Sequence, residues 1–159
     1  MILSDQNVVA LVAGLLGFFP VALAMAGEKG ETPAKPGEAA VYLGTYTQRG
    51  SKGIYLAHLD LASGALRLSG LAGEVVNPSF LAIHPSHKFL YSIGEVGVFA
   101  GGKGGAVSAF AVDEATGKLT LLNQKSSRGP GPCHVTIDRL GKNVLVANYS
   151  GGSVACLPV

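Results

Sequence analysis

The chain has 159 residues, 48% of them hydrophobic and only 14% charged, with a formal net charge of +2. With so few charges, no run of like charges and no tryptophan, it carries no electrostatic footprint for nucleic acid. Few helical heptads are visible, and 23 glycines punctuate short apolar runs, which suits sheets buried on both faces rather than a helical bundle.

In chain order, Val8 to Ala26 carries no charge, and Ala24 and Ala26 stand just before Gly27. An apolar stretch ending in small residues has the form of a secretory signal peptide, so residues 1–26 are expected to act as an export leader. The stretch also approaches the roughly 20 residues of a membrane span, although Gly14, Gly17 and Pro20 interrupt it. The alternative is therefore an anchor, with membrane attachment only if residues 8–26 stay uncleaved. A real leader implies a periplasmic or extracellular protein, with the cytoplasm as the other placement. Residues 27–39 are polar and rich in Gly and Pro, and they are expected to form a disordered linker. The folded part is expected to be residues 40–159.

Short strands follow at close intervals. They are expected at 41–46, 53–60, 65–68 with a continuation past Gly70 to Val76, 79–84, 89–93, 106–113, 118–124, 133–138, 143–149 and 153–159. Each intervening turn holds Gly, Pro, Asp or Ser, as hairpins require. Residues 97–105 are expected to be a long glycine loop.

The strands repeat. Asp60 and Asp113 stand 53 positions apart, as do Gly64 and Gly117. Pro78 and Pro132, Ile83 and Ile137, and Lys88 and Lys142 stand 54 apart. A period of about 50 residues built of short strands predicts a β-propeller with one four-stranded antiparallel blade per repeat. Strands 79–84, 89–93, 106–113 and 118–124 make one complete blade. The strands before it supply the outer three of a preceding blade, and those after it the inner three of a following one. The expected fold is all-β, a propeller fragment of about two and a half blades. A closed ring needs about four to eight blades, so missing blades would have to complete it.

Several motifs carry a resemblance. Val41-Tyr42-Leu43-Gly44-Thr45-Tyr46-Thr47, Asn77-Pro78-Ser79-Phe80-Leu81-Ala82, Gly104-Gly105-Ala106-Val107-Ser108 and Gly129-Pro130-Gly131-Pro132-Cys133-His134-Val135 are the main ones, with Val146-Ala147-Asn148-Tyr149 after them. Together they resemble the amino-terminal third of the seven-bladed propeller lactonases, the 6-phosphogluconolactonase-like and muconate-lactonising relatives. The resemblance implies hydrolysis or isomerisation of a cyclic ester, without a cofactor or metal. The family has Asn before the glutamate where this chain has Gly94-Glu95. Its later motifs, rich in His and Arg, would lie beyond residue 159.

Opening a lactone needs a base to activate water and donors for the oxyanion. His134 is the candidate base. The equivalent position one repeat earlier is Phe80, so the chain breaks its own symmetry there, and the family's active-site histidine sits in this motif. Glu95, Asn148 and Tyr149 stand at the ends of second strands and are candidate substrate-binding residues. Arg128 is a candidate phosphate contact. The competing reading for Asn148 and Tyr149 is loop capping, for Arg128 a solvated side chain, and for His134 a ring satisfied by backbone.

Three signals point elsewhere. Gly97-x4-Gly102-Lys103-Gly104 mimics a phosphate loop but leads into a strand, with no helix N-terminus to cradle an anion. His84-Pro85-Ser86-His87 has metal-like spacing in a hairpin turn, with no third ligand in sequence reach. Cys133 and Cys156 fall on the outer pair of three adjacent strands, about 9–10 Å apart, beyond the roughly 7 Å limit for a disulfide. They are expected to be free, buried small hydrophobes.

The functional expectation is an exported sugar lactonase of the 6-phosphogluconolactonase-like type, acting on a small-molecule lactone and inactive as this truncated chain alone. The alternative is a non-catalytic propeller scaffold that binds a partner, since fold does not dictate function.

Overall fold

Gly53–Asp60 and Leu66–Glu74 form a hairpin because Asp60 folds the turn between them. Its Oδ1 accepts from the backbone of Ala62 at 2.9 Å and Ser63 at 2.8 Å, and Gly64 takes φ +75°. The same device recurs at Asp113, whose Oδ1 accepts from Ala115 and Thr116, both at 2.9 Å, with Gly117 at φ +73°. Such Asx turns satisfy backbone donors that no strand partner reaches. The structure, a computed structural model, describes residues 8–12 and 35–159.

Three sheets stack in chain order. The first has the order β1(Val8–Val12), β2(Glu38–Gly44), β3(Gly53–Asp60), β4(Leu66–Glu74). The second contains β5(Leu81–Ile83), β6(Phe89–Gly94), β9(Ala106–Val112) and β10(Leu119–Ser126), neighbours in that order. The third is β11(Pro132–Ile137), β12(Asn143–Asn148) and β13(Ser153–Pro158). A small hairpin, β7(Val98–Phe99) with β8(Gly102–Lys103), stands apart.

The strands of the second sheet are buried on both faces, which is why they lack clean alternation. On β6 and β9, Leu90 and Phe110 join Tyr42, Ile54, Leu56 and Leu119 in the core between the first and second sheets. Their neighbours Tyr91, Ile93 and Val107 join Val135, Val144 and Val146 in the core between the second and third. Tyr42 adds a polar tie across the first seam, its hydroxyl donating to the Gly117 carbonyl at 2.9 Å. Burial, followed by the Asp113 charge, pushes its phenol up to about 12.

The expectations are met in fold class, with four differences. The first sheet has four strands rather than three, because β1 lies beside β2. That pairing is parallel, with Val8 opposite Ala40 and Val12 opposite Gly44, whereas every other described pairing is antiparallel. It places residues 8–12 in a strand. The rest of the expected leader and the expected linker up to residue 34 lie outside the described residues.

The second difference is that β4 runs unbroken through Gly70. This residue takes φ +134° where the pairing with β3 shifts register. The third concerns the glycine-rich segment 97–105. It folds back as the β7–β8 hairpin, with Ala100 at φ +49° and Gly101 at φ +79° in the turn. Two successive positive φ values match the twist of a two-residue hairpin. The fourth concerns the cysteines, which are free but exposed rather than buried. Cys156 pairs with Leu145 on the face of the third sheet turned away from the second, and no described sheet covers that face.

Among the described residues, no helix is long and apolar enough to cross a membrane.

Candidate active site at the sheet ends

Antiparallel order brings one set of loops to one end of the stack. There β2, β6 and β12 finish at Gly44, Gly94 and Asn148, and the connectors 75–80 and 127–131 cross between sheets. This end is the mouth. All five candidate site residues lie on it or at its edge.

At the seam between the first and second sheets, Asn77 is buried and held at φ +46°. Its Oδ1 accepts from the Thr47 amide at 3.0 Å and the Thr47 hydroxyl at 2.9 Å. Its Nδ2 donates to the Glu95 carbonyl at 3.1 Å, and its own carbonyl accepts from Ser79 and Glu95 amides. A non-glycine residue persists at such a φ only when its surroundings over-determine it. Here three loops do so: the one after β2, the one after β6, and the connector itself. On top of this knot sits the Glu95 carboxylate. Its Oε2 accepts from the Ser79 hydroxyl at 2.5 Å and the Tyr46 hydroxyl at 2.8 Å. Tyr46 is 45% exposed, and its phenol is raised, first by the bond to Glu95, then by burial.

The seam between the second and third sheets is built differently. The connector carries Ser127 buried, Arg128 exposed at φ +59°, and Gly131 at φ +62°. Asn148 reaches into it from the end of β12. It is 2% exposed, and its Nδ2 donates to the Ser127 carbonyl at 3.0 Å and lies 3.3 Å from the Ser153 hydroxyl. A Cβ at Gly129 would stand 2.6 Å from the Asn148 amide nitrogen, so a larger residue there would displace Asn148. The Tyr149 amide donates to the Gly131 carbonyl at 2.7 Å, pinning the same loop.

His134 follows on β11. The register shifts between Pro132 and His134, a bulge of the kind that re-aims side chains beside active sites. The imidazole is exposed and lies against the Phe80 ring, centroids 4.3 Å apart and tilted by 51°. Among the described residues, no hydrogen bond reaches its ring nitrogens.

The structure therefore joins His134 to its repeat counterpart Phe80, and Phe80 follows Ser79, which bonds Glu95. Glu95 and His134 belong to adjoining seams and do not touch through any described bond. Asn148 is committed to the loop that carries Arg128. Tyr149 projects into solvent, 84% exposed. Arg128 presents an exposed guanidinium on a loop with a fixed backbone.

Tyr46, Asn77 and Ser79 were not foreseen as site residues. The one signal pointing to them was their place in motifs that already carried the family resemblance.

The remaining candidates resolve otherwise. His84 Nε2 meets the Gly141 carbonyl at 3.0 Å while Nδ1 meets Ser86, so this ring latches the second and third sheets at the end opposite the mouth. No group of three metal-ligating side chains occurs among the described residues. Lys103 stands in β8, on the hairpin.

A sequence profile described as "Lactonase, 7-bladed beta-propeller" matches residues 40–159. A 6-phosphogluconolactonase of Bacillus subtilis is 43% identical over 118 residues, which are 74% of this chain and 32% of that protein. One from Formosa agariphila is 32% identical over 120 residues, 75% of this chain and 33% of the relative. Among solved structures, the periplasmic gluconolactonase of Pseudomonas aeruginosa superposes with a TM-score of 0.67 at 30% identity. That match covers 77% of this chain and 35% of that one. The chain thus spans about a third of the length of the relatives it matches.

Proposed function

The chain belongs to the seven-bladed β-propeller lactonase family, and on that premise we propose that it supplies part of the active site of a sugar-lactone hydrolase of the 6-phosphogluconolactonase type. His134 acts as general base. Its imidazole takes a proton from a water molecule, the resulting hydroxide adds to the ester carbonyl, and the ring oxygen leaves with a proton. The observation that supports this role is the exposed ring held at a bulge, braced by Phe80 and with both nitrogens unbonded.

Arg128 offers a cation for a phosphate or for the developing oxyanion. Tyr149 forms part of the wall, and Asn148 fixes the loop on which Arg128 stands. The three described sheets do not close a ring, so the activity is best tested with them placed in a complete one.

Export to the periplasm or beyond is part of the same proposal. It rests on the form of residues 1–26 and on the likeness to a periplasmic gluconolactonase. Mass spectrometry of the protein from its native host should find a mature chain starting near Gly27. A soluble cytosolic species retaining Met1 would sink the export reading.

The catalytic reading is tested in a chimera in which residues 40–159 replace the matching third of the Bacillus subtilis relative. The chimera should hydrolyse D-glucono-1,5-lactone or its 6-phosphate above the spontaneous rate. A folded chimera with no hydrolysis of either would refute it.

A further inference from the structure

The Glu95 carboxylate closes the first seam with acceptor oxygen to spare. Asn77 already ties the loops of the first seam together, through Thr47 and the Glu95 backbone, and the Glu95 carboxylate adds a second tie through Tyr46 and Ser79. The Glu95 carboxylate is a separate feature above it. It is half-buried, and no Lys or Arg pairs with it among the described residues, where the one salt bridge joins Arg67 and Glu38. Both hydroxyls that reach it bond the same oxygen, Oε2.

We propose that Glu95 and Tyr46 form a hydroxyl-binding subsite that takes neighbouring hydroxyls of a polyol chain, through Glu95 Oε1 and the Tyr46 phenol oxygen. This rests on the reading of the mouth as a sugar-lactone site and names the part of the substrate that the first seam recognises. The chemistry follows from the donor count. The Tyr46 proton is committed to Glu95, and that bond raises the phenol further, so its exposed oxygen offers a lone pair and no hydrogen. The Ser79 proton is likewise committed. The open atoms are therefore acceptors, and only a donor-bearing group satisfies them. Sugar hydroxyls do so. A phosphate group, itself an acceptor and anionic, is excluded beside an unpaired carboxylate and must lie elsewhere in the mouth.

Ser79, which bonds Glu95, precedes Phe80, whose ring lies against His134, so one connector carries a contact to each group. Rigid placement of acceptors by Asn77, Thr47 and Ser79 is what makes such a subsite selective.

The test is a titration of the isotopically labelled chain with sorbitol, a neutral polyol without an ester, followed by NMR at the Tyr46 ring and the Glu95 amide. Both signals should move saturably. Glu95→Gln, which keeps shape but loses a charged acceptor, should weaken binding about 10-fold. Tyr46→Phe should weaken it severalfold, and inorganic phosphate at equal concentration should leave both signals unmoved. Tyr46 is half exposed, so Tyr46→Phe decides the matter if Glu95→Gln loses the dispersed spectrum of the folded chain. No saturable shift, an unchanged affinity in Tyr46→Phe, or a phosphate response at Tyr46 would overturn the subsite. Binding of sorbitol needs no turnover. Sorbitol binding without lactone hydrolysis in the chimera would therefore sink the lactonase reading alone. Hydrolysis without a sorbitol response would sink the subsite alone.

Discussion

At the seam between the first and second sheets, the polar groups of the mouth are tied to one another: Asn77 to Thr47 and Glu95, Ser79 and Tyr46 to the Glu95 carboxylate. At the seam between the second and third, the backbone is tied just as firmly, by Asn148 and the Tyr149 amide, but the side chains facing solvent are left unbonded. His134 has only a ring contact, and Arg128 and Tyr149 are exposed. Matching elements thus end in different chemistry. A preorganised acceptor pair holds a ligand in place without reacting. A braced but unbonded imidazole is free to accept and return a proton. On the proposed function, the first seam would serve recognition and the second the chemical step.

The sharpest way to break this division is His134→Ala in the chimera. Turnover should fall by about 10²–10⁴-fold, with little change in the apparent affinity for lactone. If instead affinity falls while turnover holds, the second seam binds rather than reacts.

The next largest effect belongs to the first seam. Asn77→Ala removes three side-chain hydrogen bonds while leaving a non-glycine residue at φ +46°, and should cost about 2–3 kcal/mol of stability. Asn77→Gly loses the same bonds but not the strain compatibility, and should cost about 1 kcal/mol less. Denaturant titration of both variants checks this, and equal losses would remove strain from the account.

How far the mouth was legible before the fold was known differs between the seams for a physical reason. His134 stood out because one repeat earlier the same place holds Phe80, and a broken symmetry shows within one chain. Tyr46, Asn77 and Ser79 break nothing visible. They are ordinary turn residues whose meaning arises from partners 49, 30 and 16 positions away. Strands such as β9 and β12 were readable because they are continuous apolar runs bounded by turn residues. The parallel placement of β1 was not readable, since no pattern in an unbroken apolar run sets strand direction. The burial expected of Cys156 failed because a small apolar residue on a strand is buried only if something covers its face, and nothing described covers the outer face of the third sheet; Cys133 is exposed at the bulge of β11.

A smaller effect sharpens the role of the second seam. Asn148→Ala removes the amide that holds the Ser127 carbonyl and should cost about 1–2 kcal/mol. Asn148 Oδ1 has no partner, so it makes fewer bonds than Asn77, and the smaller loss follows. If Asn148 only positions the Arg128 loop, the chimera carrying Asn148→Ala should lose much less turnover than His134→Ala. An equal loss would place Asn148 on the substrate itself.

The smallest effect concerns the end opposite the mouth, where the sheets use one chemistry throughout. Asp60, Asp113 and Asp138 each cap a turn, and each carboxyl is lowered first by a backbone hydrogen bond, from Ser63, Thr116 and Lys142 respectively. A carboxyl whose folded pKa lies below its unfolded value of about 3.9 binds protons more readily in the unfolded chain. Its stabilisation is therefore complete above that pH and is lost as pH falls through the lower folded value. Asp113 is exposed and Asp60 and Asp138 are half-buried at the surface, so solvent screens all three and the slope should be shallow. Replacing the three by Asn keeps an acceptor oxygen for each turn but removes the charge. The variant should be nearly as stable as the parent at pH 7 and should lose less stability on acidification below about pH 4, as measured by denaturant midpoints. Some slope should remain, because the Glu38 carboxyl is also lowered, first by the Lys35 amide. An acid response unchanged by the three substitutions would assign the acid sensitivity to carboxyls outside these turns, Glu38 beside Asp60 first among them, and would remove the turn aspartates from the account.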